Sequence, residues 1–144
     1  MKPRIQFRAM VPADHKDFTL ATHYYPGPQF GGIVAWSWDG QKNTIMGAVG
    51  FDGWTPNAVT MHWWIRQPRC LIPLWHESLS YLSLHGKRKI VGTTPSNNTR
   101  ALRTMYDKLG WRQVAIIEGG WDDNVDIIIS EYLIHAKQPV AAAA

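Results

Sequence analysis

Three β-rich runs follow one another between Ile33 and Ile65, and the breaks between them are turn signals rather than helical stretches. Ile33–Trp38 and Thr44–Phe51 are separated by Asp39-Gly40-Gln41-Lys42-Asn43, and Asp52-Gly53-Trp54-Thr55-Pro56-Asn57 leads into Ala58–Ile65. Runs rich in β-branched and aromatic residues, bounded by Gly, Pro, Asn and Asp, read as an antiparallel meander. Gly47 and Gly50 inside the second run argue for a bulge or a close backbone approach there. Such a sheet must have its apolar faces covered, and the flanking chain has the helical spacing to do it.

Upstream, Ile5-Gln6-Phe7-Arg8-Ala9 alternates as a strand does, and Pro12-Ala13-Asp14 opens a helix in which Phe18, Leu20 and Ala21 form a short buried stripe. Pro26-Gly27-Pro28 and Gly31-Gly32 stop it early. Downstream, Pro68 ends the third run, and Pro73 falls where a first helical turn tolerates proline. Leu74, Trp75, Leu79 and Leu82 then recur at helical spacing over 71–85, with Gly86 as the residue after the cap. Lys89–Thr93 is a strand; Asn97, Asn98 or Thr99 caps a helix whose stripe is Ala101, Leu102, Met105 and Leu109, closed by Gly110. Arg112–Glu118 and Val125–Ile134 form a final hairpin joined through Gly-Gly-Trp-Asp-Asp-Asn. The order β-α-β-β-β-α-β-α-β-β calls for a mixed sheet with helices on its faces.

At 144 residues this is one domain, read as 1–137 with a flexible tail at 138–144. Cys70 is the only cysteine, so no intrachain disulfide forms. The first ten residues lack the apolar core of a signal peptide, and no apolar run reaches the length of a membrane span, so a cytoplasmic protein without a membrane partner is expected. A net charge of +4 suits an anionic partner without choosing one. The eight tryptophans are read first as core and only second as a stacking surface. The six histidines and one cysteine show no metal-ligand spacing, and no metal is expected. Glu118, Asp122, Asp123 and Asp126 gather at the last turn, where acidic loops need no cation.

Residues Ile90–Trp111 carry a more specific pattern: a strand, an Asn near the helix start, Tyr106 four residues before Gly110, and Trp111 after that glycine. With Ile5–Asp17, the small-residue stretch Gly47-Ala48-Val49-Gly50 and the element order, the chain resembles the GNAT acyltransferases over roughly residues 4 to 135. The resemblance implies an α/β (α+β) fold. Its central sheet would have about seven strands, mixed but mostly antiparallel, with helices on both faces and a cleft between strands four and five. It also implies an acyl-CoA-dependent N-acyltransferase, with acetyl-CoA as co-substrate. The acceptor would be an amine on a small molecule, a protein or a modified nucleic acid.

Residue by residue, the resemblance places the pantetheine arm along the backbone of Trp64, Ile65 and Arg66. It makes Tyr106 the acid that protonates the departing thiolate and puts His62 near the family's base. Asn98 matches the family's Asn but stands one residue further upstream than usual. Strand alternation sets His62 and Trp64 on one face and Met61, Trp63 and Ile65 on the other. The loop that should cradle the cofactor's pyrophosphate, Arg/Gln-x-x-Gly-x-Gly/Ala in the family, is here Arg66-Gln67-Pro68-Arg69-Cys70-Leu71-Ile72-Pro73. It has no glycine, and its two prolines donate no amide, so Arg66 and Arg69 would have to hold phosphate through their guanidinium groups. Cys70 and Leu71 complete that stretch. Family members also place two helices before the second strand, whereas 14–32 has room for one, which leaves the acceptor side open. The alternative is a non-catalytic binding protein on the same scaffold, because fold does not dictate function. Short chains of this kind resemble those of tailed phages, for which a structural or host-directed role is in keeping. A basic, Trp-rich nucleic-acid binder is the third reading.

Overall fold

The computed structural model describes residues 2–134, so the tail expected at 138–144 lies outside the described residues. The elements are β1 (Ile5–Ala9), α1 (His15–Thr22), β2 (Gly31–Trp38), β3 (Asn43–Asp52), β4 (Ala58–Ile65) and α2 (Leu71–Leu84). They continue with β5 (Lys89–Pro95), α3 (Thr99–Arg103), β6 (Arg112–Asp122) and β7 (Val125–Leu133). All seven strands form one sheet in the order β1-β2-β3-β4-β5-β7-β6. Every neighbouring pair is antiparallel except β4 with β5. The element order and the mixed, mostly antiparallel sheet are those expected from the sequence.

The two faces are covered unequally. On one, α2 and the segment after α3 pack over Met46, Val49, Phe51, Val59, Met61 and Ile90, with Leu74, Trp75 and Leu82 from α2 and Met105 and Trp111 from that segment. On the other, Phe18 of α1 and the loop residues Tyr24 and Phe30 cover Val34, Ala48, Ile45 and Trp64. The expected stripe on α1 is corrected here: Phe18 is fully buried, but Leu20 is 68% exposed. Two residues along a helix turn the side chain by ~200°, so Phe18 and Leu20 cannot share a face. Asp14 fixes the entry to the helix by accepting from Val11 N at 2.8 Å and from both Arg8 Nη groups at 2.8 and 2.9 Å.

Between Ala35 and Trp36 the β2–β3 register skips Met46, a bulge that reverses the alternation of β3. Met46 therefore joins the α2 face, whereas Ile45 and Ala48 lie on the α1 face. Gly47 sits where an added Cβ would lie 2.7 Å from the Trp64 carbonyl oxygen and 3.0 Å from Cys70 Sγ, so the close approach expected of this glycine is present. The last hairpin differs from expectation. β6 runs on through Gly119-Gly120 to Asp122, bulging against β7 between Ile117 and Asp122, and the turn itself is reduced to Asp123-Asn124.

Candidate functional site

The parallel ladder between β4 and β5 holds three pairs, Ala58↔Lys89, Val59↔Ile90 and Thr60↔Val91, and then ends. Beyond it β4 stays with β3 as far as Ile65, whereas β5 stays with β7 as far as Pro95. The strands diverge, and the β5-side edge of residues 61–65 faces a cleft, at whose mouth α2 begins. Alternation holds across this opening. His62 and Trp64 face α1, and Met61, Trp63 and Ile65 face α2.

On the α1 face, His62 Nε2 lies 3.1 Å from Asp52 Oδ1, and its ring stacks on Tyr24 with centroids 3.8 Å apart. A carboxylate can only accept, so Nε2 carries the proton toward Asp52 and Nδ1 keeps its lone pair. Burial pushes the His62 pKa down, and Asp52 offsets part of that shift. The ring is thus neutral at pH 7, the form a base needs. Asp52 also lines an open hollow of about 390 Å³ formed with Gly27, Pro28, Gln29, Phe30 and Gly53. Neither Asp52 nor Tyr24 was singled out from the sequence. Only the β3–β4 register, which sets Asp52 opposite Thr60, two residues from His62, brings the carboxylate into reach.

On the α2 face, Tyr106 packs against the main core, and its hydroxyl lies 2.6 Å from Ser130 Oγ. Ser130 stands on β7 opposite Gly92 of β5 and is fully buried. The chain around Tyr106 is not α-helical: after Arg103 it widens into a π turn over Thr104–Lys108. A π turn takes up one residue more than an α turn, and such turns gather at functional sites. That accounts for the extra residue between Asn98 and Tyr106. Asn98 serves as N-cap, its Oδ1 accepting from Ala101 N at 3.2 Å, so the helix start uses the acceptor oxygen of this predicted cofactor contact. Tyr106 and His62 thus stand on opposite faces of the sheet.

The loop from β4 to α2 bears on whether a diphosphate fits. The amides of Arg66 and Gln67 both donate to Met46 O at 2.9 Å, Cys70 N donates to Gln67 O, and Leu71 N to Pro68 O. Pro68 and Pro73 have no amide, so at most Arg69 and Ile72 are left with one. A cradle of backbone donors is not built here. Positive charge is present instead on side chains: Arg66 and Arg69 line an open hollow of about 580 Å³ with Lys2. Both guanidinium groups turn toward the β1–β3 side, Arg69 Nη2 donating to Pro3 O at 3.0 Å and Arg66 Nη1 to Ile45 O at 3.5 Å. Each keeps further donors free for an anion. Cys70 is buried, donates its thiol to Met46 O at 3.4 Å, and has its pKa raised by that burial.

Trp63, Trp75 and Trp111 pack together in the core on the α2 face, with ring centroids 5.6 Å apart for Trp63–Trp75 and 5.8 Å for Trp75–Trp111. The reading of the tryptophans as core holds for these three. Among the described residues, the Nε1 groups of Trp63 and Trp111 are buried without a hydrogen-bond partner. Among the described residues there is also no group of three or more His, Cys, Asp or Glu able to hold a metal, and no helix long and apolar enough to cross a membrane.

No family model matches the sequence, and no curated protein matches it either. Solved structures do match. A GNAT-family structure from Desulfovibrio desulfuricans superposes with a TM-score of 0.69 at 15% identity, covering 92% of this chain and 100% of its own. The spermidine/spermine N-acetyltransferase SpeG from Vibrio cholerae superposes with a TM-score of 0.70 at 14% identity, covering 98% of each chain. The protein yncA from Salmonella typhimurium, solved with its cofactor acetyl-CoA, gives 0.69 at 14% identity over 96% of this chain and 99% of its own. The chain has the GNAT fold.

Proposed function

We propose that the chain is an N-acyltransferase that takes an acyl group from a CoA thioester, acetyl-CoA first among them, and passes it to an amine. The observation that supports this reading is a pair of hydrogen-bonded, proton-handling groups on opposite faces of the sheet beside the strand divergence: His62–Asp52 on the α1 side, Tyr106–Ser130 on the α2 side. The unpaired edge of β4 fits an extended pantetheine arm, with the backbone of Trp64, Ile65 and Arg66 at its end. The cofactor's phosphates, lacking loop amides, meet Arg66 and Arg69 instead, beside Cys70, Leu71 and the N-terminus of α2.

A bound thioester supplies an activated acyl carbon with a thiolate leaving group. The chain's own residues manage the protons. His62 Nδ1 takes the proton of an amine arriving from the hollow beside Asp52, and Asp52 steadies the imidazolium that results. Tyr106 Oη donates to sulfur, and the Ser130 hydroxyl donates to the phenolate left behind. Calorimetric titration with acetyl-CoA and with CoA tests the reading, and saturable binding of both is expected.

A second reading, a binding protein on the same scaffold without catalysis, is favoured by one observation. Met46 O engages two amides that a phosphate loop would need. Absence of binding to either ligand at millimolar concentration decides for it.

A further inference from the structure

The hollow beside the 66–69 loop opens on the side of β4 away from the cleft, and hydroxyl groups stand on its floor. Ile5, Ser37 and Thr44 lie opposite one another across β1, β2 and β3. The β2–β3 register is unbroken there, from Trp36↔Ile45 to Trp38↔Asn43, on the turn side of the bulge. Ile5 packs against the α2-side core, as does Met46, two residues after Thr44, so this row faces α2. Ser37 and Thr44 are thus cross-strand neighbours on one face, with Cβ atoms ~4.5–5.5 Å apart, and both line the hollow. Ser37 is only 5% exposed, yet among the described residues neither its hydroxyl nor that of Thr44 has a hydrogen-bond partner. A serine this deep usually spends its hydroxyl inside the protein, as Ser78 does by donating to Leu74 O at 2.8 Å.

Three cations, Lys2, Arg66 and Arg69, line the same hollow. Arg69 Nη2 donates to Pro3 O, which ties the segment before β1 to the loop and sets Lys2 at the rim. The acidic side chain among the lining residues, Asp39, has its Oδ1 taken up by Gln41 N and Lys42 N at 2.9 and 3.0 Å. Three cations against one carboxylate leave an excess of two positive charges. We propose that the hollow binds a phosphate monoester in its dianionic form. Ser37 Oγ and Thr44 Oγ1 donate to its oxygens from the floor, and Lys2, Arg66 and Arg69 neutralise it from the rim. A carboxylate brings one charge and two oxygens; a phosphate monoester brings close to two charges and three terminal oxygens, which match this donor set better. At about 580 Å³ the hollow also has room for part of the organic group that carries the phosphate. Two strand spacings separate β2 from β4, so the anion sits ~10 Å across the sheet from the edge facing the cleft. The phosphate belongs either to the 3′-position of CoA or to a second, phosphorylated ligand, and only the first source rests on the function proposed above.

Calorimetric titration of the full chain with inorganic phosphate tests the site, at about pH 8 where the dianion dominates and with ionic strength held constant by chloride. Saturable binding is expected. Ser37→Ala with Thr44→Val should weaken it ~10-fold or more, because two hydrogen bonds to a charged group are lost. The melting temperature of that double variant without ligand should not fall, because neither hydroxyl gives up a partner within the chain. Lys2→Ala should also weaken phosphate binding. Titrating the double variant with CoA and with 3′-dephospho-CoA identifies the source. Loss of affinity for CoA but not for dephospho-CoA assigns the phosphate to the cofactor. Unchanged CoA affinity beside lost phosphate binding assigns it to a second ligand. A parent chain that binds phosphate but neither form of CoA keeps the site and ends the acyltransfer reading. No saturable phosphate binding by the parent chain, binding indifferent to the double variant, or a double variant that melts several degrees lower without ligand overturns the proposal.

Discussion

Removing the Tyr106 hydroxyl should cost stability as well as activity, and the two costs separate in one double-mutant cycle. Ser130 Oγ is fully buried and lies 2.6 Å from Tyr106 Oη, its hydrogen-bond partner among the described residues. Tyr106→Phe keeps the ring in the core and leaves that serine hydroxyl with no partner. A buried hydroxyl stripped of its bond costs ~1–3 kcal/mol, whereas replacing both partners by apolar groups is close to neutral. At this chain length ~1 kcal/mol moves the melting temperature by about 3 °C, so Tyr106→Phe should melt roughly 3–9 °C lower. Tyr106→Phe with Ser130→Ala should recover most of that loss. Thermal denaturation by circular dichroism measures all four corners of the cycle. Additive losses, with the double variant melting at the sum of the singles, would show that the two hydroxyls are not coupled. Turnover behaves differently. Loss of a general acid costs ~10²–10⁴-fold in rate, and the double variant should not regain it. A double variant that recovers both stability and turnover would refute Tyr106 as the acid.

Three further outcomes follow from the same geometry. Gly47→Ala drives a Cβ to 2.7 Å from the Trp64 carbonyl oxygen, a backbone atom that cannot swing aside; a loss of ~1–3 kcal/mol in chemical denaturation is expected, and a neutral variant would contradict the close packing of β3 on β4. The folded-state pKa of His62 is lowered, so its contribution to stability is fully present above the unfolded value near 6.5 and is lost as pH falls through that value toward the folded pKa. Melting temperatures of the parent chain should therefore drop between about pH 7 and pH 5 by more than those of His62→Gln, and parallel curves would count against a buried neutral imidazole. If CoA binds, Arg66→Ala with Arg69→Ala should weaken it at least ~10-fold, since charge-assisted hydrogen bonds contribute ~1.5–3 kcal/mol each; an unchanged calorimetric affinity would place the phosphates elsewhere.

Most of the fold was legible because its signals are local. Gly40, Gly86 and Gly110 all adopt positive φ at the ends of the elements they were expected to close. The apolar stripe on α2 buries Leu74, Trp75 and Leu82 as its spacing predicts, whereas Met105 and Leu109, expected on α3, are buried from the π turn and the residue that follows it. What failed was set by tertiary pairing. β5 extends to Pro95 and β6 to Asp122 because β7 supplies partners that no local pattern announces. The site divides in the same way. His62 and Tyr106 were named by the family resemblance, but their hydrogen-bond partners Asp52 and Ser130 come from other strands of the sheet that no local pattern announces.

The absence of glycine from the 66–73 loop and the bulge in β3 are two ends of one structural fact. The bulge places Met46 outside the β2–β3 ladder, which frees its carbonyl from strand pairing. That carbonyl then accepts from Arg66 N, Gln67 N and the Cys70 thiol, folding the loop back onto the sheet. A loop held this way tolerates prolines, because its donors are already engaged or missing. From sequence the loop reads as the loss of a phosphate cradle. In the folded chain it is an alternative closure, with Arg66 and Arg69 carrying the charge outward into a hollow shared with Lys2. On the proposed reading, anion binding at this end of the molecule would depend on guanidinium and ammonium groups, which salt screens, and far less on oriented amides. Raising ionic strength from about 0.05 to 0.5 M should weaken CoA binding steeply in this chain, because exposed charges lose most of their reach over that range. A salt-insensitive affinity in the same titration would mean that the phosphates are gripped by backbone after all, and that the loop rearranges to release Met46 O when they arrive.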